Sequence, residues 1–456
     1  MITNLTSLVR RFKDRRYARW ENDPFQSVTR TSHWTRQNAS EIQQTPQNVF
    51  PTFDIGRVKA LMPDYHIWDS WFVLDEQGKQ ARIGGKYTML VALGTPKGGD
   101  GSARIFYFYA QDGHTFTPGG TLLSQKLYGD TQEWSGSTIL RNDGSLQTFY
   151  TLALGVTDPD TGIWQTSQRF ATVIQSPFTG PTVLSVSEPH YHGMLGEPDG
   201  QLYQNVAQSL EIEHRAPTQH NRAWGSDQTD NLCFRDPSFF RDPNTGKAYL
   251  VFEGNTGTRF HPAGSVRRDY IGSADFEPSY MPTADDLKAN GCVGIAEFTN
   301  DNLTFINFLP PILTTNLVTD EIERITMISR AGYYYLFCVT HGNKMTMGND
   351  DLINRDFLLG FRAKSLFGPF EPLNDSGVVI QQKSAGLAYA GQEENEHYVY
   401  SWTVLSDLSV ISYANYCADD NGSTVATKTI GPRVKLQING LRTRIVDLDY
   451  PYQPAS

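Results

Sequence analysis

From about residue 65 onward the chain consists of short runs in which side chains alternate with a period of two, each run bounded by Gly, Pro, Asn or Asp. The runs are IWDSWFVL (67–74), YTMLVAL (87–93), ARIFYFYA (103–110), LQTFYTLAL (146–154), AYLVFEG (248–254), YYYLFCVT (333–340) and YVYSWTVL (398–405). Aromatic and β-branched residues dominate them, and a period of two is the spacing of side chains on one face of a strand. Long helical patterns are nearly absent after residue 60. The stretches DPDTG (158–162), DPNTG (242–246) and ADDNGS (418–423) are turns, because Asp, Asn and Gly tolerate left-handed backbone and bond to their own loops. None of these acidic clusters has the full ligand spacing of a calcium loop.

Repeated units of several strands, with no break in composition between them, predict an all-β fold and favour a β-propeller over a two-sheet sandwich. Roughly 75 residues per unit would give five blades, but the repeat is too weak for periodicity alone to set that number. Residues 1–60 are polar and carry Arg and Gln; they are expected to form helices and loops wrapped on the propeller, with 61–456 as one propeller domain.

Charge narrows the partners. The chain has 456 residues with 39 Lys and Arg against 49 Asp and Glu, a net charge of −10. Its one basic cluster is Arg10, Arg11, Lys13, Arg15 and Arg16. That balance argues against nucleic acid or an anionic membrane as the main partner and suits a neutral substrate. No stretch reaches the roughly 18 apolar residues of a membrane span, and MITNLTSLVRRFKDRRY lacks the apolar centre of a classical signal peptide. Export would therefore need another route or a leader already removed. Cys233, Cys292, Cys338 and Cys417 form no CxxC pair and read as small buried apolar residues, with a Cys338–Cys417 bridge left open.

In a propeller the innermost strands line a central funnel, so chemistry should show as polar residues inside apolar strands. Three places fit: Asp69 within HIWDSWFVLD, Arg235-Asp236-Pro237 within CFRDPSFF, and Asp320-Glu321-Ile322-Glu323-Arg324, where a strand would point Glu321 and Glu323 to one face. Each acid alone could be a solvated strand end or an ion pair, Asp236 with Arg235 for example. Three together are costly to desolvate without a paired role. Three converging acids suit glycosidic cleavage, which needs a nucleophile, an acid/base and a group that holds the sugar hydroxyls; retaining enzymes set the first two about 5–5.5 Å apart. A low-pKa Asp is expected as nucleophile, and a Glu beside another acid as the protonated partner. Nucleotide-binding, serine-hydrolase and zinc-protease signatures are absent, and His190 with His192 is only a two-ligand fragment that reads as a loop feature.

WDSW with Asp69, EWSGS (133–137), FRDP (234–237), YLVFEGNTG (249–257), DEIER (320–324), YYLFCVTHGNKMT (334–346) and GPFEPLN (368–374) occur in that order. Together they resemble the levansucrase and inulosucrase family of microbial fructosyltransferases. The resemblance implies a five-bladed propeller that takes sucrose as donor and sucrose, fructan, another sugar or water as acceptor. It implies Asp69 as the nucleophile that forms a covalent fructosyl-enzyme, Glu323 as acid/base and Asp236 as the stabiliser that holds the fructosyl hydroxyls. Trp68, Trp134, Ser135, Arg235 and Glu321 fall in the sugar-binding shell, with Ser135 bonded to the nucleophile and Glu253 as a supporting acid. His341 stands where the other major branch carries Arg, which marks a different acceptor side and resembles the branch without structural calcium. No metal or cofactor is implied, and family relatives usually act outside the cell. A monomer is expected. Beside this reading stand an invertase-like sucrose hydrolase of the same fold and, more remotely, a fructan-binding propeller without catalysis.

Overall fold

The computed structural model describes residues 31–99, 102–160, 162, 164–215, 232–260, 268–347, 350–384 and 396–455. The basic cluster at 10–16 and the first half of the expected 1–60 extension lie outside these residues. The alternating runs form five sheets of five strands each. Each sheet contributes one inner strand to the ring: β1 (Tyr65–Phe72), β2 (Gln132–Leu140), β3 (Phe234–Arg241), β4 (Glu323–Arg330) and β5 (Val399–Val404). Each of the five touches the next, and β5 touches β1, so they close a ring. This is a five-bladed β-propeller, and the ring supplies the blade number that the weak sequence repeat could not.

The apolar runs are explained by where the two faces of a middle strand go. Along 333–341, Tyr334, Leu336 and Cys338 pack with Val251 and Ile295 of the third blade, while Tyr335, Phe337 and Val339 pack with Trp402 and Val410 of the fifth. Along 88–96, Met89, Val91 and Leu93 face the second blade, and Leu90 and Ala92 face the fifth. A blade between two neighbours buries both faces, so its strands read as nearly continuous hydrophobic segments. The apolar clusters fall one to each of the five blade junctions, with a small satellite under the loop around Tyr270. All four cysteines are buried and free, so the Cys338–Cys417 bridge is not formed.

Both described chain ends run along the outside of the ring. Ser32–His33 pairs in parallel with Leu313–Thr314 of the third blade, and Trp34 Nε1 donates to the Ser376 carbonyl of the fourth at 2.7 Å. Val49 bridges to Gln381, and Lys59 to Ala418 beside the fifth blade. At the other end, Gln453–Pro454 pairs with Thr115–Phe116 of the first blade, and Tyr452 packs on Phe72 and Phe116. The longest described helix is Val206–Arg215, and no described helix is long and apolar enough to cross a membrane.

Candidate active site

One backbone irregularity, repeated in every blade, builds the site. Each inner strand loses register with its neighbour at the same place: between Trp68 and Trp71, Trp134 and Gly136, Arg235 and Ser238, Glu323 and Thr326, and Tyr400 and Thr403. A bulge of this kind bends the strand and re-aims its side chains. Four of the five hold a non-glycine residue in left-handed backbone: Asp69 (φ 42°), Asp236 (57°), Arg324 (54°) and Ser401 (59°). Such conformations are sparsely populated and cluster at functional sites. In the second blade Ser135 occupies the bulge, followed by Gly136, where a Cβ would lie 1.9 Å from the Phe149 carbonyl oxygen. Pro237 is tolerated inside β3 because a bulge asks for no ladder N–H there.

The bulges carry Asp69, Ser135, Asp236, Arg324 and Ser401, and the residues just before them are Trp68, Trp134, Arg235, Glu323 and Tyr400. Seven of the ten residues expected at the site thus sit at one of two equivalent positions, with Glu253, Glu321 and His341 outside them. In the bulge set, the Ser135 hydroxyl donates to Asp236 Oδ1 at 2.5 Å and lies 3.4 Å from Asp69 Oδ2. Ser135 thus makes the expected bond to Asp69, but the shorter one goes to Asp236. Asp236 Oδ2 also accepts from the Arg324 backbone N–H at 3.0 Å.

In the preceding set, Arg235 acts as a fork. Its Nε pairs with Glu253 Oε2 at 2.7 Å, and its Nη2 lies 3.0 Å from Glu323 Oε1 and 3.4 Å from Glu321 Oε2. The simple alternative of an Arg235–Asp236 pair is thereby replaced: Arg235 serves three glutamates, and Asp236 takes its bonds elsewhere. Glu253 is fully buried and accepts from the Ile322 N–H at 3.1 Å. Glu321 precedes β4 and is not in it, so the shared guanidinium, not strand alternation, brings it beside Glu323. Glu323 Oε2 accepts from the Tyr400 hydroxyl at 2.7 Å. The His341 ring stacks on Tyr400 with centroids 4.1 Å apart, and its Nδ1 meets Asp356 Oδ1 at 2.8 Å. Trp68 and Trp134 each keep part of their surface open, and Arg235 stands 6.0 Å over the Trp134 ring. Open indole faces of this kind suit the C–H faces of a sugar.

A family model described as Levansucrase/Invertase matches residues 25–453. The chain belongs to the levansucrase/invertase family. A levansucrase of Bacillus amyloliquefaciens is 29% identical over 91% of this chain and 88% of that one. The extracellular sucrase of Zymomonas mobilis is 30% identical over 93% of this chain and 95% of the relative. Among solved structures, an inulosucrase from Halalkalicoccus jeotgali bound to kestose superposes with a TM-score of 0.72 at 28% identity, covering 93% of this chain and 98% of that one. As a member of this family the chain is a fructosyltransferase acting on sucrose.

The electrostatics of this levansucrase-type pocket push both Asp69 and Glu323 upward. Burial, reinforced by Glu321 and opposed by Arg235 and His341, raises Glu323 to about 7. Asp69 does not have the low pKa expected of it: burial raises it, with Arg324 working against it, Asp236 adding to it, and Ser401 and Lys428 lowering it. Asp69 keeps some solvent-facing surface but is otherwise enclosed by protein. Burial works against a charged His341, yet the Asp356 carboxylate beside it prevails and holds it up at about 9.

Glu321, Glu323 and His341 bring one donor atom each within 4.8 Å of one another, the spacing of a metal site. Arg235 already pairs with both glutamates, and Asp356 favours the protonated imidazole, which has no lone pair for a metal, so this donor set does not fit one. His192 instead contacts the Tyr128 hydroxyl at 3.3 Å. Sequence reasoning missed Tyr400, Ser401 and Asp356. The first two had a signal, since YVYSWTVL repeats the aromatic, small polar, aromatic order of IWDSWFVL; Asp356, in RDFLLG, had none.

Proposed function

We propose that Asp69 attacks the anomeric carbon of the fructosyl unit of sucrose while Glu323 gives its proton to the departing glucosyl oxygen. The glycosidic bond breaks as the Asp69 ester forms. Glu323, now a carboxylate, then takes the proton of an incoming hydroxyl, whose oxygen attacks the same carbon and releases Asp69. Two displacements return the original anomeric configuration. Asp236 accepts from fructosyl hydroxyls as the ring flattens. Trp68 and Trp134 supply apolar walls, Arg235, Glu321 and Glu253 hold the pocket's polar side, and His341 faces the acceptor. The observation that carries this reading is the placement of Asp69 and Asp236 within reach of one serine hydroxyl, with Glu323 raised to about 7 one position higher in the same ring.

The relatives carry the names levansucrase, extracellular sucrase and inulosucrase. Transfer to sucrose or to a growing fructan is the reading adopted here, carried out by a secreted monomer, in line with the relative named an extracellular sucrase. The deciding experiment is incubation with sucrose while free glucose and free fructose are followed separately. Glucose in excess of fructose is expected; equal release would make the enzyme a hydrolase, and release of neither would overturn the reading.

Two further outcomes test the acid/base role. In the free enzyme Glu323 must hold its proton to act first, so kcat/KM for sucrose is expected to fall as pH rises through about 7. A profile flat to about pH 9 would reject the assignment. Tyr400→Phe removes a hydrogen bond that favours the ionised carboxylate, so the alkaline fall should move to higher pH by a few tenths of a unit while kcat drops roughly tenfold. An alkaline limb moved the other way would contradict the geometry.

A further inference from the structure

We infer that Arg324 is a positioning residue that fixes the nucleophile from beneath the pocket, tying the acid/base strand to the strand that carries Asp69. The inference rests on the roles proposed above for Asp69 and Glu323. Arg324 directly follows Glu323, is 6% exposed and sits in the β4 bulge with φ 54°. Its backbone N–H donates to Asp236 Oδ2 in β3. Its guanidinium Nη2 donates to the Ser70 carbonyl of β1 at 2.9 Å and lies 3.4 Å from Thr403 Oγ1 of β5. From β4 one side chain and its own peptide thus reach three other inner strands. The guanidinium also stands 5.7 Å over the Trp71 ring, whose Nε1 bonds to Thr138 Oγ1 of β2 at 3.0 Å.

The Ser70 carbonyl is the telling contact. It belongs to the residue after Asp69, whose own φ of 42° is one that a chain rarely keeps unaided. A charged donor on that carbonyl pins the left-handed turn that aims Asp69 upward. Arg324 borders a cavity of about 510 Å³ that is lined also by Asp236 and by Trp71, Phe239 and Met327, residues that follow the bulges along the inner strands, which places its side chain on that side of the ring of bulges. Its charge reaches Asp69 from that side. The other groups that act on Asp69 are Asp236 of β3, Glu323 of β4, Tyr413 of the fifth blade, Lys428 and the hydroxyls of Ser135 and Ser401. Among them the guanidinium is the strongest influence that favours the ionised nucleophile.

The test compares Arg324→Gln and Arg324→Lys in the full chain, with thermal unfolding as the check on folding. For Arg324→Gln, kcat should fall about 100-fold, as expected for a small misplacement of the nucleophile, with KM within roughly threefold. The acid limb of kcat/KM should move up by about one pH unit, since the counter-charge of Asp69 is gone. Arg324→Lys should return the acid limb close to its original pH while recovering only part of kcat, because an ammonium cannot reproduce the fork. Thr403→Val serves if Arg324→Gln does not fold; it should lower kcat severalfold with KM unchanged. A wild-type acid limb in a folded Arg324→Gln protein, or equal losses in both Arg324 variants without a shift, would overturn the inference. If that happens while Asp69→Asn is inactive, the proposed mechanism stands and only Arg324 loses its part. An active Asp69→Asn would remove both.

Discussion

Replacing Asp69 by asparagine should lower glucose release from sucrose by a factor on the order of 10^4 or more while leaving the propeller folded. The amide keeps the shape and the neighbouring hydroxyls but cannot form the ester. Because burial raises the Asp69 pKa above its unfolded value, the ionised carboxylate weighs against folding at neutral pH, and that cost is relieved only as pH falls and the group is protonated. Asp69→Asn removes the buried charge, so its melting temperature at pH 7 should equal or exceed that of the wild type, a sign a purely structural residue would not give. Near-normal glucose release, followed enzymatically, would sink the nucleophile assignment. A clear drop in melting temperature would mean that the carboxylate holds the ring together.

Glu323→Gln should cost about 10^2 to 10^4 in kcat with sucrose, the usual contribution of a positioned general acid. The loss should depend on the leaving group. A fructosyl donor whose leaving group departs as a stable anion needs no proton, so the variant should form its fructosyl-enzyme from such a donor at close to the wild-type rate. The ester should then persist, since deprotonation of the acceptor is impaired, and mass spectrometry of the quenched protein should find a fructosyl unit on the peptide bearing Asp69. Equal losses with both donors would show that Glu323 supports the pocket without moving a proton.

The fold was legible wherever local pattern decides it. The seven alternating runs all lie on strands, from Tyr65–Phe72 to Val399–Val404, because a strand between two blades must be apolar on both faces. Asp69 stood out because a carboxylate inside such a run has no structural excuse, and Asp236 and Glu323 because each adjoins an Arg amid apolar residues. What escaped was whatever depends on neighbours from another strand or another blade. Asp356 looks like an ordinary strand residue until the fold brings His341, the Tyr398 hydroxyl and the Ser384 hydroxyl onto its oxygens. Tyr400 touches Glu323 across a gap of 77 residues. The raised pKa of Asp69 was equally hidden, since flanking residues suggest donors but say nothing about enclosure. The bulge is the middle case: Trp68-Asp69, Trp134-Ser135, Arg235-Asp236, Glu323-Arg324 and Tyr400-Ser401 are matched pairs once register is known, yet their chemistry differs too much to align by eye.

The way the ring is sealed has a consequence for how the protein is made. The junction between the fifth and first blades draws on Ile411, Ile430 and Tyr452, and the final outer pairing waits for Gln453–Pro454. A ribosome that has delivered only the first four blades has therefore released an open arc, one end showing Ile67, Leu90 and Phe108 and the other Tyr335, Phe337 and Val339. Neither face is fully covered until the last sixty or so residues emerge and wedge between them, although Phe50, Phe53, Ile55 and Val58 belong to the cluster on the second. During that interval the nascent chain is sticky at both ends and has no assembled pocket, so chaperone capture or transport in an unfolded form would fit naturally before closure.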